Sequence, residues 1–594
     1  MKQFLKMTLA TMCGMIILGI LSSVLFFSTI ASLASMADTA PVMPKEAVLK
    51  IDMSTIVLAE QTREADPMAY LQSKQAVAAP LGIWNAISAI NTAATDPAIK
   101  FIYLLTDGAN GGMAQIEELR KALSNFRAQG KAIIAYTENP STGGYYLASV
   151  ADKIYMTSHL GSMSMLHGVS GRLIFLKDIL DKFGVNVQLI RHGKYKSAGE
   201  MYIRNSASPE NMTQNREMVE SIWSTFSEEM AQARGLSAKE LDGLIDNLSL
   251  NSPEDFLQKG LVDELMTREQ LKQKLSDLFT ATSYTDVKYI SLQDYAKVKA
   301  KVNFRATDKI AVIYADGSIV DGAAKEEVAG DRFAKIISDV RNDAMVKAVV
   351  LRVNSPGGSV LASEKIKAEL DLLKEEKTVI ASYGNYAASG GYWISNNCDR
   401  IYTNATTLTG SIGVFSMIPD LSKTAKDVLH INVTPVNSNK HSDMYNMMRP
   451  LTPAEVEYAQ ASVESIYDRF TNIVAEGRNM EVKDVDAIAQ GRVWTGADAL
   501  EIGLTDEVGT IEDALNYAAS CIEDVNSLEE VQIVEYPKPL STMEMLVASL
   551  SGTDPEAKLV KGTIFESAYR EFRHWKTAQS GQVFARLPYV IDFN

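Results

Sequence analysis

Thr378-Val379-Ile380-Ala381-Ser382-Tyr383 is an apolar run, and shortly after it comes Ala387-Ala388-Ser389-Gly390-Gly391-Tyr392-Trp393-Ile394. The first stretch reads as a buried strand, and the residues after the second have helical spacing. Ser389 therefore falls at a strand-to-helix turn with small residues on both sides. Its hydroxyl can be presented there, and the amides of Gly390 and Gly391 open a helix whose N-terminus favours negative charge. An oxyanion formed by attack on a carbonyl would find donors at that place. Taken alone, the octapeptide fits an N-cap serine better. The rest of the chain changes that balance.

Working outward, the pattern around Ser389 occurs twice. Gly390-Gly391-Tyr392 has a counterpart in Gly143-Gly144-Tyr145, and Asp399-Arg400-Ile401-Tyr402 in Asp152-Lys153-Ile154-Tyr155, both 247 residues earlier. Ile431-Asn432-Val433 matches Val185-Asn186-Val187 at an offset of 246, and Gly503-Leu504-Thr505-Asp506-Glu507 matches Gly260-Leu261-Val262-Asp263-Glu264 at 243. Offsets that drift so little, in conserved order, mean one domain duplicated with small insertions. Within each copy strands alternate with helices: Ala47–Ile51, Ile99–Leu105, a helix over about 114–128, then 132–136. That alternation predicts an α/β fold with mostly parallel sheet. The expected organisation is an N-terminal segment 1–38, repeats over 45–275 and 308–530, a linker over 276–307 and a tail over 531–594. In the tail, 565–575 has amphipathic spacing.

The N-terminal segment has Lys2 and Lys6 and then no charge from Met7 to Ala37. That run exceeds the roughly 20 residues a spanning helix needs and the usual apolar core of a cleaved leader. It predicts an uncleaved transmembrane helix with the two lysines on the cytoplasmic side. The remainder then lies across the membrane. A net charge of -15 without a long basic run excludes nucleic acid as a natural partner. Three scattered cysteines and six histidines form no metal-ligand spacing, so no metal or cofactor is expected.

Comparing the repeats isolates the chemistry. The first copy has Thr142 opposite Ser389, and the second has Ser442 opposite Lys196. Each copy thus keeps one member of a serine–lysine pair and lacks the other, as a shared composite site would leave them. The third element is Asn354-Ser355-Pro356-Gly357-Gly358-Ser359 after the apolar run 348–353. It reads as a tight Gly-Gly turn whose amides join Gly390 as oxyanion donors.

These motifs, with Leu408-Thr409-Gly410-Ser411-Ile412-Gly413 and Gly193-Lys194-Tyr195-Lys196-Ser197-Ala198, resemble the long, tandem-repeat form of the signal peptide peptidase A family. Its members are membrane-anchored bacterial serine proteases with the Clp protease/crotonase fold. The resemblance implies two such repeats behind a membrane anchor, and a serine endopeptidase with a Ser-Lys dyad that degrades cleaved signal peptides and other apolar peptides. It implies Ser389 as nucleophile, Lys196 as general base, Ser411 orienting the lysine, and the amides of Gly357, Gly358 and Gly390 as oxyanion hole. It further implies a homotetramer, peptide substrates, and a single-pass protein of the bacterial inner membrane with its catalytic part in the periplasm. One departure is Gly199-Glu200-Met201 after the lysine motif, with no catalytic consequence expected. The alternatives are a crotonase-like acyl-CoA enzyme, which an export anchor disfavours, and a non-catalytic membrane scaffold. Whether the dyad forms within one chain or across two is left open.

Overall fold

The structure, a computed structural model, describes residues 2–37, 41–64, 78–299, 306–325, 327–540, 544 and 582–587. Two mostly parallel sheets carry the molecule, and the second also branches from Thr378–Ala388 to Leu408–Gly410 and, antiparallel to that, Val493–Thr495. In the first, the strands run in the order Glu264–Met266, Lys153–Thr157, Ile133–Thr137, Ile99–Leu105, Ala47–Asp52 and Tyr289–Ser291. In the second, the corresponding order is Glu507–Val508, Arg400–Thr403, Thr378–Ala388, Val346–Ser355, Lys309–Asp316 and Gln532–Tyr536. All ten of these pairings are parallel. The strand order of one is the strand order of the other, as the sequence repeat requires. Both are buried by helices, which is why their strands read as continuous apolar runs rather than alternating ones.

Two elements fall where other organisation was expected. Tyr289–Ser291, in the stretch 276–307 expected as a linker, pairs with Ala47–Asp52 and closes the first sheet. Its counterpart Gln532–Tyr536, in the expected tail, pairs with Lys309–Asp316 in the same way. Three residues are too few to show a period, so the first was not legible as a strand. The amphipathic stretch 565–575 lies outside the described residues.

A buried ion cluster ties the halves together. The guanidinium of Arg352, fully buried, donates to Glu60 Oε2 at 2.6 Å and to Glu118 Oε1 at 2.7 Å. Glu60 and Glu118 come from the first half and are equally buried. Removing one partner of such a cluster leaves an uncompensated charge and costs roughly 3–5 kcal/mol.

Lys2–Ala37 forms one helix of 36 residues. Many of its side chains, including those of 25–37, lie outside the described residues. Among the described residues no helix is long and apolar enough to cross a membrane.

A third, smaller sheet lies over the carboxyl ends of the second one. Its order is Val328–Ala329, Ile319–Val320, Gly357–Ser359, Val583–Arg586, Phe415–Asp420 and Asn186–Arg191. It draws one strand from the first half, four from the second and one from the tail. The candidate site motifs meet near it.

Candidate active site

Ser389 follows directly on the strand Thr378–Ala388 and caps the helix Gly390–Ser395. Its backbone is at φ 54°, ψ −111°, a conformation that costs a non-glycine residue about 1–3 kcal/mol. Two bonds hold it there. The Ser389 amide donates to Gly410 O at 2.8 Å, and its carbonyl accepts from the Trp393 amide at 2.7 Å. The small residues expected around the turn are required by crowding: a methyl on Gly390 would lie 2.9 Å from Ser363 Oγ.

Lys196 comes from the first half. Its loop follows the strand Asn186–Arg191, which pairs antiparallel with Phe415–Asp420 of the second half. This pairing carries the lysine across to the serine. The loop is then pinned from several sides. Arg191 Nη1 donates to Lys196 O at 2.6 Å, the Tyr195 amide donates to Gln490 O at 2.9 Å, and Gln214 Nε2 donates to Ser197 Oγ at 3.1 Å. Glu200, within the stretch Gly199-Glu200-Met201 that departs from the family pattern, is also used. Its carboxylate accepts from the Ser208 amide and from Asn211 Nδ2, both at 3.1 Å.

The Lys196 amine is fully buried and lies 2.9 Å from Ser389 Oγ, 3.0 Å from Ser411 Oγ and 3.1 Å from Ser411 O. Burial pushes its pKa well below that of an ordinary lysine. No carboxylate is among these partners, so no opposite charge in the contact set offsets the cost of burial. Both members belong to one chain. Ser411, like Ser389, has a positive φ, 49°, and its amide is held by Arg492 O at 2.7 Å.

The Gly-Gly element differs from the expected turn. Gly357–Ser359 is a short strand, and Val583–Arg586 of the tail lies antiparallel on it, with Gly358 opposite Ala585. The Leu587 amide donates to Pro356 O at 2.7 Å. In an antiparallel ladder the bonded pairs alternate, so the next pair to exchange bonds is Gly358 with Ala585. The Ala585 carbonyl oxygen is indeed close to both glycine positions: a methyl on Gly357 would be 2.2 Å from it and one on Gly390 3.0 Å. The amide of Gly357 is turned elsewhere, to Ser355 Oγ at 3.2 Å. The Ala585 carbonyl thus lies beside the Gly357 and Gly390 positions, and the ladder register sets Gly358 opposite Ala585.

Other parts of the site carry no local sequence signal. Gly491 packs so tightly on Lys196 that a methyl there would lie 2.5 Å from Lys196 Cβ. Gly413 O is 3.5 Å from Ser389 Oγ. The tail strand was not legible, because four residues with no neighbouring pattern do not announce a partner.

A duplicated α/β fold that brings a serine hydroxyl into contact with a buried lysine amine is a layout suited to a serine hydrolase. The chain matches Peptidase family S49 over residues 125–282 and 371–525, one match in each half. It is 36% identical over 476 residues to Protease 4 of Haemophilus influenzae, covering 78% of this chain and 76% of that protein. Protease 4 of Salmonella typhi is 35% identical over 483 residues, 79% and 76% of the two chains. The chloroplastic serine protease SPPA of Arabidopsis thaliana is 30% identical over 470 residues, 78% and 68%. The chain belongs to peptidase family S49, in its tandem-repeat form, and is a serine protease.

Proposed function

We propose that the protein is a membrane-anchored endopeptidase in which Ser389 attacks the peptide and Lys196 is its general base. The observation that carries this is the 2.9 Å contact between Lys196 Nζ and Ser389 Oγ inside a site free of countercharge. A neutral amine has two N–H groups and one lone pair. The two N–H groups go to Ser411 O and Ser411 Oγ, and the lone pair accepts the Ser389 hydroxyl proton. Ser411 thereby orients the base without charging it. Lys196 takes the proton as Ser389 Oγ bonds to the substrate carbonyl carbon, and the amides of Gly358 and Gly390 receive the oxyanion. Lys196 returns the proton to the leaving nitrogen, and water then hydrolyses the acyl-enzyme. One oxyanion donor is worth roughly 10²–10³ in rate.

An ordinary lysine has a pKa of about 10.4 and is charged at neutral pH. With the Lys196 value lowered by burial, kcat/KM rises as pH rises through that lowered value and levels off well before 10.4.

Substrates enter as a strand. Without Val583–Arg586 the small sheet has a one-strand gap between Gly357–Ser359 and Phe415–Asp420. An extended peptide completes it by main-chain bonds and reads out through side-chain pockets. A relative from Enterococcus faecium carries the name putative signal peptide peptidase SppA and is 34% identical over 235 residues, 38% of this chain and 67% of that one. We extend that substrate class to this chain: cleaved signal peptides and similar apolar peptides. The uncharged run Met7–Ala37 supports a single-pass anchor in the bacterial inner membrane, with the catalytic part in the periplasm.

The test is hydrolysis of a synthetic signal peptide by the purified full chain, beside Ser389→Ala and Lys196→Met. Both variants are expected to fold and to lose turnover. Because the two residues meet within one chain, mixing the variants is expected to restore nothing. Normal turnover by either variant would end the dyad reading.

A further inference from the structure

We propose that Glu117, in the first half, is a positioning residue for the site in the second and makes hydrolysis sensitive to pH. As a carboxylate it clamps Ala405-Thr406, which lead into the strand beside Ser389, and as a carboxylic acid it loosens them. This rests on the reading of Ser389 and Lys196 as the dyad and adds a residue that touches neither.

The clamp is built from both halves. Glu117 lies in the helix Met113–Ala128. Its Oε1 accepts from the Ala405 amide at 2.8 Å, and its Oε2 accepts from the Thr406 amide at 3.1 Å and from Thr406 Oγ1 at 2.8 Å. Glu118, the next residue, accepts from Asn404 Nδ2 at 2.9 Å. Two consecutive carboxylates of one half thus grip three consecutive residues of the other. The gripped loop leads straight to the site. Thr407 Oγ1 donates to Gly384 O at 2.7 Å, and Leu408–Gly410 then runs parallel to Tyr386–Ala388, the end of the strand that delivers Ser389. Thr409 Oγ1 donates to Ala387 O at 2.7 Å. Gly410 O takes the Ser389 amide, and Ser411 meets the Lys196 amine. A shift of the loop 404–406 is therefore passed along one short strand to the groups that hold both dyad members, where small displacements cost rate steeply.

The two glutamates differ in one respect. Glu118 has the Arg352 guanidinium at 2.7 Å. Among the described residues no cation is bonded to Glu117, whose partners are two amides and a hydroxyl. Burial pushes its carboxyl up to about 7 against the pull of those donors, and the charge of Glu229 adds to the rise. A cleft of about 600 Å³ between the halves gives it a route to solvent protons. Facing it there are Arg120 and Lys121 on its own helix, Tyr146 and Glu229 on neighbouring helices of the first half, and Glu507 and Asp513 of the second. Arg120 is committed to Glu229, Glu507 to Arg400, and Asp513 to the Thr510 amide. Lys121 lies in the field of Glu512, and Arg127, further along the cleft, is paired with Asp152. No other group fixes the charge of Glu117. A carboxylate accepts from all three donors at once. A carboxylic acid must donate from one oxygen, and neither amide of Ala405-Thr406 can accept that proton. Protonation therefore weakens the clamp. Above about pH 7 the buried charge lowers stability relative to the unfolded chain, and groups held at such a cost gather at functional sites.

The experiment measures kcat and KM of the purified full chain on a synthetic signal peptide without titrating side chains, from about pH 5.5 to about 8.5. Wild type is run beside Glu117→Gln, Thr406→Val and Ser389→Ala. Glu117→Gln keeps the shape without the charge and is fixed in the loosened form. At about pH 8.5 its kcat is expected about tenfold below wild type with KM within about twofold, and at about pH 5.5 the two are expected to be level. The ratio of wild-type to Glu117→Gln kcat then rises through about pH 7, while the Lys196 dependence is common to both and cancels. Divided by the same reference, Thr406→Val is expected to rise at higher pH than wild type, because one donor that holds the carboxyl down is gone. A ratio flat in pH, or equal kcat values at about pH 8.5, would overturn the proposal. Should Glu117→Gln fail to fold, a wild-type to Thr406→Val ratio that does not vary with pH would overturn it instead. Ser389→Ala is expected to be inactive throughout. If it turns over like wild type, the dyad reading falls and this proposal with it, whereas a flat ratio beside an inactive Ser389→Ala leaves the dyad standing.

Discussion

The two halves share a strand order but not a chemistry. In the second half, Ser389 caps its helix from φ 54°, ψ −111°, held against the strain by Gly410 and Trp393. In the first half, Thr142 is the first residue of an ordinary helix, Thr142–Ala148, capped by Ser141 at φ −89°. The Thr142 hydroxyl is spent on Gly168 O at 2.9 Å. The lysine position shows the opposite bias. Lys196 is fully buried, while Ser442 stands exposed in a loop and accepts from the Asn439 amide at 3.0 Å. Strain and desolvation both cost stability, and each persists only where the surroundings impose it. Each half has relaxed at the position it does not use. Under the proposed reading the first half carries the base and the second the nucleophile.

The sharpest way to break this comparison is to move the first-half residue into the second. Ser389→Thr puts a β-branched side chain at positive φ and is expected to lower kcat/KM about 10³–10⁴-fold. Thr142→Ala is expected to change peptide hydrolysis by less than about twofold, since it lies outside the dyad. Comparable losses in both would mean that the halves are not divided as described. Next in size is Gly491→Ala. Its methyl would lie 2.5 Å from Lys196 Cβ, at φ +77°. Displacing the amine is expected to cost about 10² in kcat with little change in KM, because the base is misplaced while the slot is intact. Ser411→Ala leaves the amine with Ser411 O and Ser389, and is expected to cost about tenfold in kcat.

The smallest effect is on stability. Lys196 has a lowered pKa in the folded state, so between that value and about 10.4 the unfolded chain binds a proton that the folded chain does not. Stability of the wild type therefore rises with pH across that window, with a slope approaching about 1.4 kcal/mol per pH unit from this residue. Lys196→Met lacks this contribution, so its unfolding free energy should gain on the wild type as pH falls. Parallel pH profiles in urea titrations would show that the amine is not buried as described.

Much of this was legible in the chain. Ile99–Leu105 reads as a strand and is one, because parallel strands buried on both faces are continuous apolar runs. Ser389 at the turn from Thr378–Ala388 into a helix was readable from small residues between two periodic segments. The Gly357-Gly358 stretch was not readable as a strand, since its partner Val583–Arg586 is far away in the chain. Nor did the sequence show that the Gly357 amide donates to Ser355 Oγ, a contact set by the folded loop.

The sequence by itself determined the duplication, the order of strands and helices, and which half holds the serine and which the lysine, because periodicity and repeat offsets are local and countable. Only the tertiary structure decided that Lys196 and Ser389 meet within one chain, that the amine is desolvated, and that the tail fills the missing strand. Distance and burial arise from packing between segments hundreds of residues apart, and no local pattern encodes them.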